Sequence, residues 1–187
     1  MSNVFVLCTG RCGSMTFARA ASHISNYTSG HESRAQMIGP ARLAYPPNHI
    51  EVDNRLSWML GRLDAAYGPN AKYVHLTRDP TEVARSFGYR WRIKVGIISA
   101  YRNGVLKGTE ESKPEVCADY VETVTANILS FMKHVPQHMD FDLNCAEDDW
   151  RLFWDWIGAE GDFDASLREW STAHNATGRK ARWLAWV

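Results

Sequence analysis

Asn3-Val-Phe-Val-Leu-Cys-Thr-Gly-Arg-Cys-Gly-Ser-Met-Thr-Phe-Ala-Arg-Ala20 is the stretch whose reading decides the fold. Val4 to Leu7 is a short apolar run of the kind that forms a buried strand. It breaks into a loop holding Gly10 and Gly13, and a helical pattern begins near Ser14. A strand, a glycine-containing loop and a helix start in succession make an anion cradle. Backbone N–H groups point into the loop, and the helix dipole favours negative charge there. The two glycines let the backbone approach a phosphate closely or take positive φ. Arg11 adds a fixed charge with a forked donor set.

Outward from this stretch, strands and helices alternate. Tyr27–Gly30, His49–Val52, Lys72–Thr77 and Met139–Leu143 read as further strands. Helices are expected over Ser14–Ser25, Leu56–Tyr67, Glu115–His134 and Asp148–Ile157, the last with Asp148 or Asp149 near its cap. Gly68-Pro69-Asn70 reads as a turn. Asp79, Pro80 and Glu82 mark another helix start, as N-cap, N1 and N3. Residues 88–114 are irregular and read as a lid or acceptor-side loop with some helix. Six of the eight tryptophans lie from Trp150 onward, and they read as core. The alternation implies a single α/β domain over residues 1–187, a P-loop-type, mainly parallel sheet flanked by helices. Ligands of such sheets bind beyond the carboxyl ends of the strands. Three polar clusters follow candidate strands at that place: Gly10–Thr16, His31–Arg34 and Arg78–Ser86.

The bulk properties narrow the classes. A chain of 187 residues can bury a sizeable core. Lys plus Arg and Asp plus Glu both number 21, so the net charge is zero. That balance argues against a general nucleic-acid or membrane-surface binder. No run approaches a membrane span, and the first apolar run is too short for a secretory signal. The four cysteines, Cys8, Cys12, Cys117 and Cys145, form no CxxC pair and no zinc set. They read as thiols in a reducing cytosol, so a cytoplasmic location is expected.

The clusters exclude two common loops. A Walker A loop ends in Gly-Lys-[Ser/Thr], whereas Gly13 here is followed by Ser14. A C-x5-R phosphatase loop fails because Ser14 stands where its arginine belongs. In the second cluster, His31 or Glu32 at a strand end could take a proton from an attacking hydroxyl. In the third, Arg78 leaves a strand at its carboxyl end and Ser86 lies two turns into the next helix, so both could reach one anion. Asp79 could be read as a Walker B carboxylate, but capping accounts for it without a metal.

Together these residues carry a family resemblance. Thr9-Gly-Arg-Cys-Gly-Ser and Arg78-Asp-Pro…Ser86 resemble the two cofactor motifs of sulfotransferases that use 3′-phosphoadenosine 5′-phosphosulfate (PAPS). The resemblance implies that Gly10, Arg11, Cys12, Gly13, Ser14, Met15 and Thr16 hold the 5′-phosphosulfate end, with Arg11 in the place of the family's Lys or Arg. It implies that Arg78 and Ser86 hold the 3′-phosphate. Gly178-Arg-Lys-Ala is similar to a late Arg-Lys-Gly loop, so Arg179 and Lys180 would close on the 3′-phosphate, with Ala181 replacing the glycine. Met139–Leu143 and the Trp-rich helix resemble the family's last strand and helix, making 137–187 the cofactor-closing end. Glu32 falls where carbohydrate-using members carry their catalytic base, and His31 is the reserve. Asp53, Tyr89 and Trp91 are the acceptor-side candidates, with Asp53 equally readable as a helix cap. The implied activity is in-line sulfuryl transfer from PAPS to a sugar, alcohol or phenol hydroxyl, leaving adenosine 3′,5′-bisphosphate and requiring no metal. Two alternatives stay open: a P-loop kinase or nucleotide phosphotransferase, and a non-catalytic nucleotide-binding module.

Overall fold

Val4–Leu7 forms β1 in the computed structural model of the chain, which describes residues 2–171, and all four of its residues are fully buried. Burial on both faces is what a continuous apolar run requires, and it places β1 inside a sheet. Four more strands join it: β2 (Thr28–His31), β3 (His49–Val52), β4 (Lys72–Thr77) and β5 (His138–Asp142). Their order is β2-β3-β1-β4-β5, and every pairing is parallel. The mainly parallel α/β sheet expected from the alternation is therefore present. From β1 the chain crosses to β2 on one side of the sheet, and from β4 it crosses to β5 on the other. The crevice at the carboxyl ends of β1 and β4 is thus a topological switch point, where ligands of open α/β sheets bind.

Seven helices surround the sheet among the described residues: α1 (Ser14–Ala21), α2 (Leu60–Tyr67), α3 (Pro80–Gly88), α4 (Ile97–Ala100), α5 (Lys113–Met132), α6 (Ala146–Ile157) and α7 (Phe163–Arg168). Several boundaries differ from the expected ones for local reasons. The first helix stops at Ala21 rather than Ser25, because Ile24 leaves to bridge Gly161 and Ser25 N–H bonds Glu160. The stretch from Leu56 begins as a 3-10 turn over Asn54–Trp58, capped by the Asp53 carboxylate, before α2 proper. α5 starts earlier than Glu115, because Ser112 and Glu115 form a reciprocal capping box. α6 starts at Ala146, so Asp148 and Asp149 lie in its first turn rather than at the cap, and Asp149 accepts the Asp142 N–H at 2.7 Å. Asp79 does cap α3, accepting the Glu82 N–H at 2.8 Å.

The described tryptophans after Trp150 join the core, as read from the sequence. Phe17 of α1 meets Phe141, Trp150, Phe153 and Trp170 edge-on, with centroids 5.0–5.9 Å apart. Such edge-to-face contacts add to simple area burial. This packing seats the helix that begins at the glycine loop, so the loop rests on a rigid base.

Candidate active site

The loop after β1 has the backbone its glycines suggest. Gly10, Arg11 and Gly13 have φ of 81°, 63° and 94°. Left-handed residues interspersed in a turn of this kind direct N–H groups toward one concave side. A Cβ on Gly13 would stand 2.7 Å from the tip of the Leu143 side chain, and the positive φ favours glycine there. The loop carbonyls are held elsewhere. Ser57 Oγ donates to Cys8 O at 3.2 Å, Tyr120 OH to Thr9 O at 2.8 Å, and Arg78 Nη1 to Arg11 O at 3.3 Å. α1 opens on Gly13 with no side-chain cap, which leaves its first turn able to receive an anion.

The segments after β1 and β4 meet at this loop. Arg11 Nε donates to Ser86 Oγ at 3.0 Å across 75 positions of sequence. Arg78 stands on the same loop through its bond to Arg11 O and also pairs with Glu82 at 3.4 Å. Burial, and then the neighbouring Arg90 and Arg78, lower the Arg11 pKa to about 10, against a smaller opposing effect of Cys12. The group stays charged at neutral pH. Three guanidiniums thus converge where a bound anion would relieve their repulsion. They line a cleft of about 720 Å³ together with Ser14, Met15, Thr16, His31 and Glu32.

The carboxyl end of β2 forms the facing wall. His31 Nε2 lies 3.2 Å from Ser14 Oγ, which ties the strand end to the loop. Glu32 has φ of 51°, an uncommon conformation for a residue with a side chain. A buried carboxylate holds that turn. Glu51, fully buried on β3, accepts the Ser33 N–H at 2.7 Å and the Ser33 hydroxyl at 2.6 Å. His49 Nε2 lies 2.9 Å from Glu51, and Thr28 Oγ1 lies 2.8 Å from the other ring nitrogen. Burial pushes the Glu51 pKa up, but the bonds from His49 and Ser33 outweigh it and leave it below its ordinary value. Glu32 itself pairs with Arg55 at 2.6 Å, one-third exposed at the cleft.

Most sequence candidates gather here, and some do not. The Cys12 side chain is fully buried beside Cys8, so only its backbone faces the loop. Asp53 is corrected: it is fully buried, caps the Asn54–Trp58 turn through the Arg55 N–H at 2.8 Å, and pairs with buried Arg42 at 2.5 Å. Its capping alternative is the one the structure adopts, and it carries Asn54 and Arg55 into the cleft instead. Tyr89 caps the C-terminus of α3, and Trp91 lines a neighbouring recess. Arg179 and Lys180 lie outside the described residues. Sequence reasoning missed Arg55, and it singled out neither Arg90 nor the Ile93–Ile98 wall within the 88–114 segment it read as a lid or acceptor-side loop. The Asp53 cap signal pointed to where Arg55 starts its turn, but no spacing rule announces the others.

No family model matches this chain, and no curated protein matches it. Among solved structures it is similar to a sulfotransferase domain from the curacin biosynthetic pathway, with a TM-score of 0.64 and 16% identity. The match covers 97% of this chain and 82% of that domain. This chain has an α/β fold like that of the sulfotransferase domain, with its convergent cations at the switch point of the sheet.

Proposed function

We propose that the protein transfers the sulfuryl group of PAPS to an acceptor hydroxyl. The observation that carries this reading is the Arg11–Ser86 hydrogen bond, which joins two anion-binding motifs from different strands into one site. A ligand phosphorylated at both the 3′ and 5′ positions suits two adjoining cationic ends. The glycine cradle and the open start of α1 fit its 5′-phosphosulfate, with Arg11 as the clamp. Arg78 and Ser86 fit its 3′-phosphate.

The bound donor supplies the sulfuryl group, activated by its anhydride bond to the 5′-phosphate. The chain's residues then do three things. Arg11 and the loop N–H groups neutralise charge growing on the departing phosphate oxygen as the old S–O bond breaks. Glu32, or His31 beside it, takes the acceptor hydroxyl's proton as the new S–O bond forms. The His31–Ser14 contact keeps base and donor loop in register, which is the positioning such a displacement depends on. Arg11 cannot release a proton and acts only electrostatically. The four free thiols suit a reducing compartment, and we assign the activity to the cytoplasm.

The kinase alternative has less support, because the loop lacks the Walker lysine and Asp79 is engaged in capping α3. Calorimetry separates the readings: adenosine 3′,5′-bisphosphate should bind without metal, and ATP with Mg should not compete. Binding of ATP–Mg alone would overturn the proposal. Binding of the bisphosphate with no turnover over a broad acceptor panel would leave the non-catalytic module.

A further inference from the structure

The segment after α3 is unlike the rest of this chain. Between Val83 and Thr109 it carries six Arg or Lys and no Asp or Glu, although the whole protein has a net charge of zero. Part of the segment forms an apolar shelf on the cleft, with Phe87, Ile93, Val95, Ile97 and Ile98. Val95 is 95% exposed and Ile93 45% exposed, so the shelf is open to an incoming molecule. Beyond Ile93, which lines both, lies a second recess of about 480 Å³. Trp91, Arg92, Lys94, Ser99, Arg102 and Asn103 complete its lining.

This recess is built rather than incidental. The Arg102 guanidinium lies 4.4 Å over the Trp91 ring. Its Nε donates to Asn103 Oδ1 at 2.9 Å, and Asn103 Nδ2 donates to Ser99 Oγ at 3.2 Å. Stacking and the bond through Nε hold the guanidinium plane while its outer N–H groups take no part in these contacts. Among the described residues, no ion pair joins Arg92, Lys94 or Arg102 to a carboxylate. Three cations lining one recess, with no carboxylate paired to them, suit a dianion held between them. The shelf also bears on the acceptor's body. An alkyl chain lying along Ile93, Val95 and Ile97 would bury more apolar area than a hydroxyl-covered sugar.

Resting on the sulfuryl-transfer reading, we propose that the acceptor is an apolar alcohol bearing a phosphate monoester. Its hydroxyl reaches the Glu32 side of the cleft, its chain lies along Ile93–Ile98, and its phosphate sits in the Trp91–Arg102 recess. The test titrates hexyl phosphate calorimetrically into protein saturated with adenosine 3′,5′-bisphosphate, with hexanol and inorganic phosphate as references. Hexyl phosphate should bind more tightly than either. Arg102→Gln should weaken it roughly tenfold, the effect of one charge-assisted contact. Lys94→Glu, an exposed change with little bearing on folding, should weaken it at least as much. Neither variant should alter bisphosphate affinity. Hexyl phosphate binding no better than hexanol, or undiminished in both variants, overturns the proposal. The same titration without bisphosphate tests the recess even where the nucleotide fails to bind, in which case the sulfuryl-transfer reading falls instead. With PAPS present, ω-hydroxyhexyl phosphate should be sulfated with higher kcat/KM than hexanediol. Equal rates would remove the phosphate recess and leave the transferase reading standing.

Discussion

The two walls of the cleft are made in different ways. The β1–β4 wall is a backbone device: left-handed loop residues, an uncapped helix start and arginines placed at two strand ends. It rests on fully buried β1 and on the aromatic packing around Phe17. The facing wall is a side-chain device. Glu32 holds its place because a buried Glu51 clasps the next residue, and the Ile93–Ile98 shelf is exposed loop and short helix. A backbone device depends chiefly on the left-handed conformation of a few loop residues. A side-chain device fails when one distant partner is lost.

Replacing Arg11 should give the largest effect. Arg11→Ala is expected to lower kcat about 10³-fold, as loss of a principal charge-stabilising donor does. Its thermal midpoint should change little, because loss of the Ser86 bond is offset by relief of repulsion with Arg90 and Arg78. A fall of several degrees would mean that Arg11 supports the fold rather than the ligand. On the opposite wall, Glu32→Gln should cost about 10² in kcat, the usual contribution of a general base. Bisphosphate affinity, read by calorimetry, should be unchanged, since the proposal puts the nucleotide on the other wall. Full activity would transfer the role to His31.

Glu51→Leu probes the side-chain device without touching the cleft. Leaving the Ser33 N–H and His49 without their partner should destabilise the fold by about 3 kcal/mol in urea unfolding. It should also lower kcat, with bisphosphate affinity preserved. Equal losses in both would show that the two walls are not separable. The smallest effect is a pH slope. Burial lowers the His75 pKa from its ordinary value of 6.5, against a weaker pull from Asp140. The unfolded chain therefore binds the proton more readily than the folded one. The His75 contribution to stability is full above the ordinary histidine range and declines as pH falls through it. Melting curves taken from neutral to mildly acidic pH should show that decline, and His75→Gln should flatten it.

The contrast between the walls also governs what could be read in advance. β1, the glycine loop and the start of α3 were legible because local rules bind them: an apolar run, positive φ, and a strand end followed by a helix start. The parallel sheet followed from alternation alone. Asp53 was ambiguous, since a capping carboxylate and a cleft carboxylate look alike in one dimension. Burial against Arg42 settled it. Arg55, Arg90 and the Ile93–Ile98 shelf carried no periodic signal, because irregular segments take their course from what they pack on.

The sequence alone determined the alternating α/β order and the cradle after the first strand, since hydrophobic period and backbone sterics act over a few residues. Only the tertiary structure decided that Arg11 would meet Ser86, that Glu51 would brace the Glu32 turn, and that uncountered cations would gather beyond an apolar shelf. Those contacts join distant segments, and strand order and burial set them rather than any local propensity.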